Sequence, residues 1–164
     1  RITVGTAALA AVLFALPVPA AELRPVATSP AAPLALRDLE GRSVDLAQLR
    51  GKVVLVNFWA TYCKPCRAEM PDMQAVYGEL REKGLVVVAV NQGESSEEVT
   101  AFAREFGLTF PILLDESQSI ARKYGVRAYP TTFILDRKGV IREVIVGGPL
   151  TRKAIRSQVE DLLE

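Results

Sequence analysis

Val54-Leu55-Val56-Asn57-Phe58-Trp59-Ala60-Thr61-Tyr62-Cys63-Lys64-Pro65-Cys66 carries an apolar run straight into two cysteines separated by two residues. The run extends from Lys52 to Trp59, and near-continuous apolar character over so short a length is the pattern of a strand buried on both faces, which implies parallel pairing. From Lys64 onward the spacing changes. Met70, Met73, Val76, Tyr77 and Leu80 recur at helical intervals, so a helix is predicted to about Lys83 with Gly84 as its stop. Pro71 inside that stretch predicts a kink. The cysteine pair therefore sits where a buried strand ends and a helix begins.

Working outward, Leu34 to Leu39 and Arg42 to Val44 flank a Glu40-Gly41 turn and read as a hairpin, followed by Asp45 as the cap of a helical turn. Downstream, Leu85 to Val90 reads as a second buried strand. Ser95-Ser96-Glu97-Glu98 opens a helix carrying Val99, Phe102, Ala103 and Phe106 up to Gly107. Phe110 to Leu114 is predicted as a strand, Ser117 to Tyr124 as a short helix, and Thr131 to Leu135 and Val140 to Val146 as strands. Asp136-Arg137-Lys138-Gly139 makes the last two an antiparallel hairpin. Thr151 to Leu163 is an amphipathic helix. The expected class is α/β: a mixed sheet of about five strands with helices on both faces and an N-terminal hairpin extension.

Three segments are expected along the chain. Residues 1–21 hold no charged side chain after Arg1 and centre on Ala7 to Leu16, the pattern of a signal peptide ending near Ala20 or of a membrane anchor. Either places the domain outside the cytoplasm, and no cysteine follows the run to accept a lipid. Residues 22–33, rich in Ala and Pro, read as a linker. Residues 34–164 form the folded domain. Composition narrows the chemistry further. Twenty basic against nineteen acidic residues give a net charge of +1 with no basic block, so nucleic acid is not an expected partner. The chain has no histidine, which excludes imidazole catalysis and most zinc or copper sites, and no metal site is expected.

In the first turn of a helix, positions i and i+3 share a face, and a disulfide spans Cα atoms about 4.4–6.8 Å apart. Cys63 and Cys66 can therefore join and part while the backbone stays in place. Pro65 suits that turn because its missing N–H would have had no helical partner. Cys63 faces unpaired N–H groups at the positive end of the helix dipole, which favours its thiolate, and Lys64 and Arg67 are expected to add to this. Cys66, one turn inside, is expected to be shielded. That makes Cys63 the attacking thiol and Cys66 the resolving one. Two other readings compete. A static disulfide closing so small a loop would constrain the unfolded chain little. Half of a zinc site would need carboxylates to complete it.

With Cys63-Lys64-Pro65-Cys66-Arg67-Ala68-Glu69-Met70-Pro71 and Tyr129-Pro130-Thr131-Thr132-Phe133-Ile134-Leu135-Asp136, the chain resembles the thioredoxin superfamily over Pro33 to Glu164. It is most similar to the TlpA/ResA/DsbE-like extracytoplasmic branch. The resemblance implies a thioredoxin-like fold and a cis peptide bond at Pro130, lying against the cysteines. It also implies substrate contacts at Trp59, Tyr129, Pro130 and Thr131, with the Tyr129 backbone pairing with an extended substrate segment. Glu69 matches a glutamate associated with proton handling. The buried acid that cytoplasmic thioredoxins carry two residues before the tryptophan is Asn57 here, which cannot take a proton. Glu69 is thus the candidate to move protons for Cys66, with a pKa raised by burial.

The resemblance implies a protein-disulfide reductase with no cofactor beyond the redox-active Cys63–Cys66 pair, acting in the periplasm or an equivalent extracytoplasmic space. Apocytochrome c is the implied substrate, and a membrane thiol-relay protein the implied reductant. Four alternatives remain. A peroxide reductase of related fold would carry its threonine three residues before the reactive cysteine, whereas Thr61 is two before Cys63. A general disulfide oxidant or isomerase would share the motif. A copper chaperone of similar fold would want a histidine ligand. A redox-inert binding module would tolerate loss of both cysteines.

Overall fold

The structure, a computed structural model, describes residues 29–164; the signal peptide or anchor expected at residues 1–21, and residues 22–28 of the expected linker, lie outside the described residues. The strand leading to the cysteines, β3 (Val53–Trp59), is buried along its whole length and forms the centre of a five-stranded sheet. Two short strands come before it, β1 (Ala35–Arg37) and β2 (Ser43–Asp45), paired antiparallel as a separate two-stranded sheet. On one side β3 pairs in parallel with β4 (Leu85–Gln92), which pairs in parallel with β5 (Ile112–Asp115). On the other side β3 pairs antiparallel with β6 (Thr131–Leu135), which pairs antiparallel with β7 (Ile141–Val146). The sheet is mixed, in the order β5-β4-β3-β6-β7.

Four helices cover it: α1 (Lys64–Leu80), α2 (Ser96–Glu105), α3 (Ser119–Lys123) and α4 (Arg152–Leu163). The alternation of side chains along a strand decides which face each serves. Val53, Leu55 and Trp59 of β3 pack with Met70, Met73 and Val76 of α1, Val99 and Phe102 of α2, and Ile155 and Val159 of α4. Val54, Val56 and Phe58 point the other way and pack with Ile120 and Ala121 of α3 and with Leu34 and Leu46. Asn57 falls in the first set by the same alternation, so a polar side chain projects toward α1.

Helix boundaries follow local chemistry. The α2 capping box is present, with Ser95 and Glu98 bonded reciprocally. Asp45 caps the short 3-10 turn at Leu46–Leu49. Helix α1 continues through Pro71 and hands over at Arg81–Lys83 to a 3-10 turn, three residues before the stop at Gly84. Gly84 has φ of 105°, a conformation that favours glycine.

Both sheet edges are partly covered, which blunts their capacity to pair with other chains. Asp38 bridges to Leu113 of β5, and the Leu39 N–H donates to the Ile112 carbonyl. At the other edge Pro30 bridges to Val140, and the Ile141 N–H donates to Ser29. The end of the stretch read as linker, from Ser29 to Pro33, is thus attached to the domain: the open side of β7 offers main-chain partners that side-chain composition does not reveal. No helix among the described residues is long and apolar enough to cross a membrane.

Candidate functional site

Cys63 is the N-cap residue of α1, and its sulfur accepts a hydrogen bond from the Cys66 N–H at 3.3 Å. The end of β3 and the Ala60–Tyr62 turn deliver it there, with the Cys63 N–H donating to the Ala60 carbonyl. The two cysteines are joined as a disulfide with Cα atoms 5.2 Å apart, inside the range the helical spacing allows. Cys66 is wholly enclosed, whereas Cys63 retains 9 % exposure. Of the two cysteines, Cys63 is the one that retains exposed surface.

The turn ahead of Cys63 is held by a residue that the sequence reading passed over. Glu94, in the loop after β4, accepts the Thr61 N–H at 2.7 Å, the Thr61 hydroxyl, and the Asn91 side-chain amide at 2.6 Å. Its signal in the sequence was a lone acid between a buried strand and a capping serine, which says nothing of a contact across 33 positions. The Arg67 guanidinium donates to the Thr61 carbonyl at 3.4 Å in the turn ahead of Cys63, pairs with Glu105 at 2.9 Å and lies 5.0 Å from the ring centroids of Phe102 and Phe106. The rings supply a cation-π partner that a sequence window around the cysteines does not contain.

Glu69 lies one turn beyond Cys66, fully buried. Its Oε1 accepts from the Asn57 amide at 2.8 Å, and its Oε2 accepts from the Leu150 N–H at 3.0 Å. Burial pushes its carboxyl up from 4.5 to about 7, and these two bonds hold it back from rising further. Asn57 also donates to the Thr132 hydroxyl at 3.0 Å, linking β3 to β6.

The Tyr129-Pro130 peptide bond is cis, as the resemblance implied, and Gly148-Pro149 is a second cis bond that the sequence reading did not anticipate. Pro130 is buried and Tyr129 half-buried. Among the described residues the Tyr129 main chain finds no hydrogen-bond partner, while the Pro130 carbonyl accepts from Gly147. Tyr62, 70 % exposed, stands next to Cys63 on the open side. Trp59 and Thr131 sit otherwise than expected of substrate contacts. Trp59 is fully enclosed, its ring 4.8 Å from that of Phe102, because β3 turns this position into the core. Thr131 is buried and donates its hydroxyl to Ala128.

Comparison with known proteins agrees with this arrangement. The AhpC/TSA family matches residues 27–144. The chain is 43% identical over 127 residues to the thiol-disulfide oxidoreductase ResA of Geobacillus thermodenitrificans, covering 77% of this chain and 72% of the relative. It is 48% identical over 128 residues to the thioredoxin-like protein YneN of Bacillus subtilis, covering 76% and 74%. Among solved structures, a Chlorobium tepidum protein ascribed to the thiol:disulfide interchange proteins DsbE superposes with a TM-score of 0.78 at 32% identity, covering 84% of this chain and 97% of that one.

Proposed function

Because the chain belongs to the AhpC/TSA family, and within it is a thioredoxin-like thiol-disulfide oxidoreductase of ResA/DsbE type, we propose that it reduces protein disulfides outside the cytoplasm. The observation that carries this reading is the asymmetry of the pair: Cys63 partly open at the cap of α1, Cys66 sealed one turn inside beside a buried carboxyl.

In the reduced protein the Cys63 thiolate attacks a substrate disulfide. A Cys63–substrate bond forms, and the displaced substrate sulfur leaves as thiolate and takes a proton. Glu69, as carboxylate, accepts the Cys66 proton, and Cys66 attacks the Cys63 sulfur. The second substrate thiol leaves, the Cys63–Cys66 bond closes, and two electrons have passed to the substrate. Tyr62 and the unpaired Tyr129 main chain offer a polypeptide an apolar rim and a hydrogen-bonding edge. The substrate is an apocytochrome c whose cysteines await haem, with a membrane thiol-relay protein restoring the dithiol. The family resemblance supports those partners, and the apolar run of residues 1–21 supports the location.

A peroxide-reductase reading is disfavoured because the Thr61 hydroxyl is engaged by Glu94 rather than free beside Cys63.

Trapping tests the proposal. Cys66→Ala should accumulate mixed disulfides through Cys63 from an envelope extract, and capture of nothing would sink the protein-substrate reading. Equilibration with glutathione tests the direction. A potential near thioredoxin's, about −270 mV, is expected, whereas one near DsbA's, about −120 mV, would overturn the reductant assignment.

A further inference from the structure

Asn57, Glu69 and Thr132 come from three different elements, β3, α1 and β6, and all three are fully or almost fully buried. Asn57 Nδ2 donates at 2.8 Å to Glu69 Oε1 and at 3.0 Å to Thr132 Oγ1, while Asn57 Oδ1 is buried with no partner among the described residues. The two oxygens of Glu69 therefore face different kinds of donor. Oε2 meets the Leu150 N–H, a main-chain group that can only donate. Oε1 meets a side-chain amide, which presents an acceptor in place of a donor when it turns over.

We propose that Asn57 is the positioning residue for proton exchange at Glu69, and that its amide turns over each time the carboxyl gains or loses a proton. With Glu69 ionised, Nδ2 donates to Oε1 and to the Thr132 hydroxyl. With Glu69 neutral, the proton sits on Oε1 and is donated to Asn57 Oδ1, which has taken the place of Nδ2. The Thr132 hydroxyl, able to donate as well as accept, turns its hydrogen toward the same Oδ1. The far side of the amide is unpartnered in either orientation, so no bond is broken there to make the exchange. An aspartate at position 57 could not do this, because it would bring a second charge to the same buried site.

Among the described residues no charged side chain contributes to the Glu69 ionisation. Glu69 is faced by Asn57 from β3 and by the Leu150 N–H and Gly148 from the loop before α4, and the titratable side chain one turn before it on α1 is Cys66. Its ionisation is opposed by burial and favoured only by the Leu150 and Asn57 hydrogen bonds. This inference rests on the proton-handling role given to Glu69 above.

NMR of the disulfide-bonded, isotope-labelled chain through neutral pH separates the two. The expected result is that the Glu69 carboxyl carbon titrates with a midpoint near 7 and the Asn57 side-chain NH2 resonances move with the same midpoint. Asn57 resonances that stay constant while Glu69 titrates would overturn this inference and leave the role of Glu69 standing. A Glu69 carboxyl that does not titrate near neutrality would overturn both.

Discussion

A Cβ built on Gly148 would stand 2.9 Å from Glu69 Oε2 and 3.0 Å from Pro130 Cγ, so the absence of a side chain at this glycine is what lets the carboxyl and the cis-proline loop close together. Gly148 is not in the left-handed region, and its requirement is one of space alone. Gly148→Ala is expected to destabilise the domain by about 1–3 kcal/mol through overpacking and to slow disulfide exchange. Gly78→Ala, on the exposed face of α1 where nothing lies within 4 Å, is expected to stabilise by about 0.5–1 kcal/mol. Denaturant unfolding of both variants checks the pair.

Glu69→Gln removes a titrating group from the core. The folded protein holds the Glu69 proton up to about 7, whereas an unfolded carboxyl releases it near 4.5. Stability from this group is therefore full below about 4.5 and is lost as pH rises toward 7, on the order of 3 kcal/mol in all. The glutamine variant should lose that slope and gain on the wild type as pH rises through the window. Its release of mixed disulfides should slow, by about a hundredfold if Glu69 is the base for Cys66. Unfolding free energies against pH, together with stopped-flow exchange, read both effects.

Glu94→Ala leaves the Thr61 N–H and hydroxyl without their acceptor. The turn ahead of Cys63 should loosen, with a loss of about 1–3 kcal/mol and faster hydrogen exchange at Thr61. Undiminished protection of the Thr61 amide would show that the carboxylate does not hold the turn.

The fold was legible where burial and spacing act locally. The run into Trp59 showed a strand because all seven of its residues are enclosed, and the serine and glutamate of the α2 cap sat at their required separation. The polarity of Asn57 inside that run was visible, but its partners were not, since Glu69 and Thr132 lie 12 and 75 positions away. Arg67 is close to the cysteines by number and does reach the Thr61 carbonyl, but its packing over the aromatic rings of α2 and its end depends on residues more than thirty positions away. Gly148 carried no signal because a glycine before a proline reads as any loop. Trp59 matches by resemblance a tryptophan flanking the active site, and strand alternation points its side chain into the core beside Leu55 and Val53.

Alkylation of the two single-cysteine variants as a function of pH tests the division of labour most directly. In Cys66→Ala the remaining Cys63 is expected to react readily and to ionise below the value of a free cysteine, about 8.5, while in Cys63→Ala the enclosed Cys66 stays slow until the protein unfolds. Fast reaction at Cys66 with a sluggish Cys63 would contradict the account.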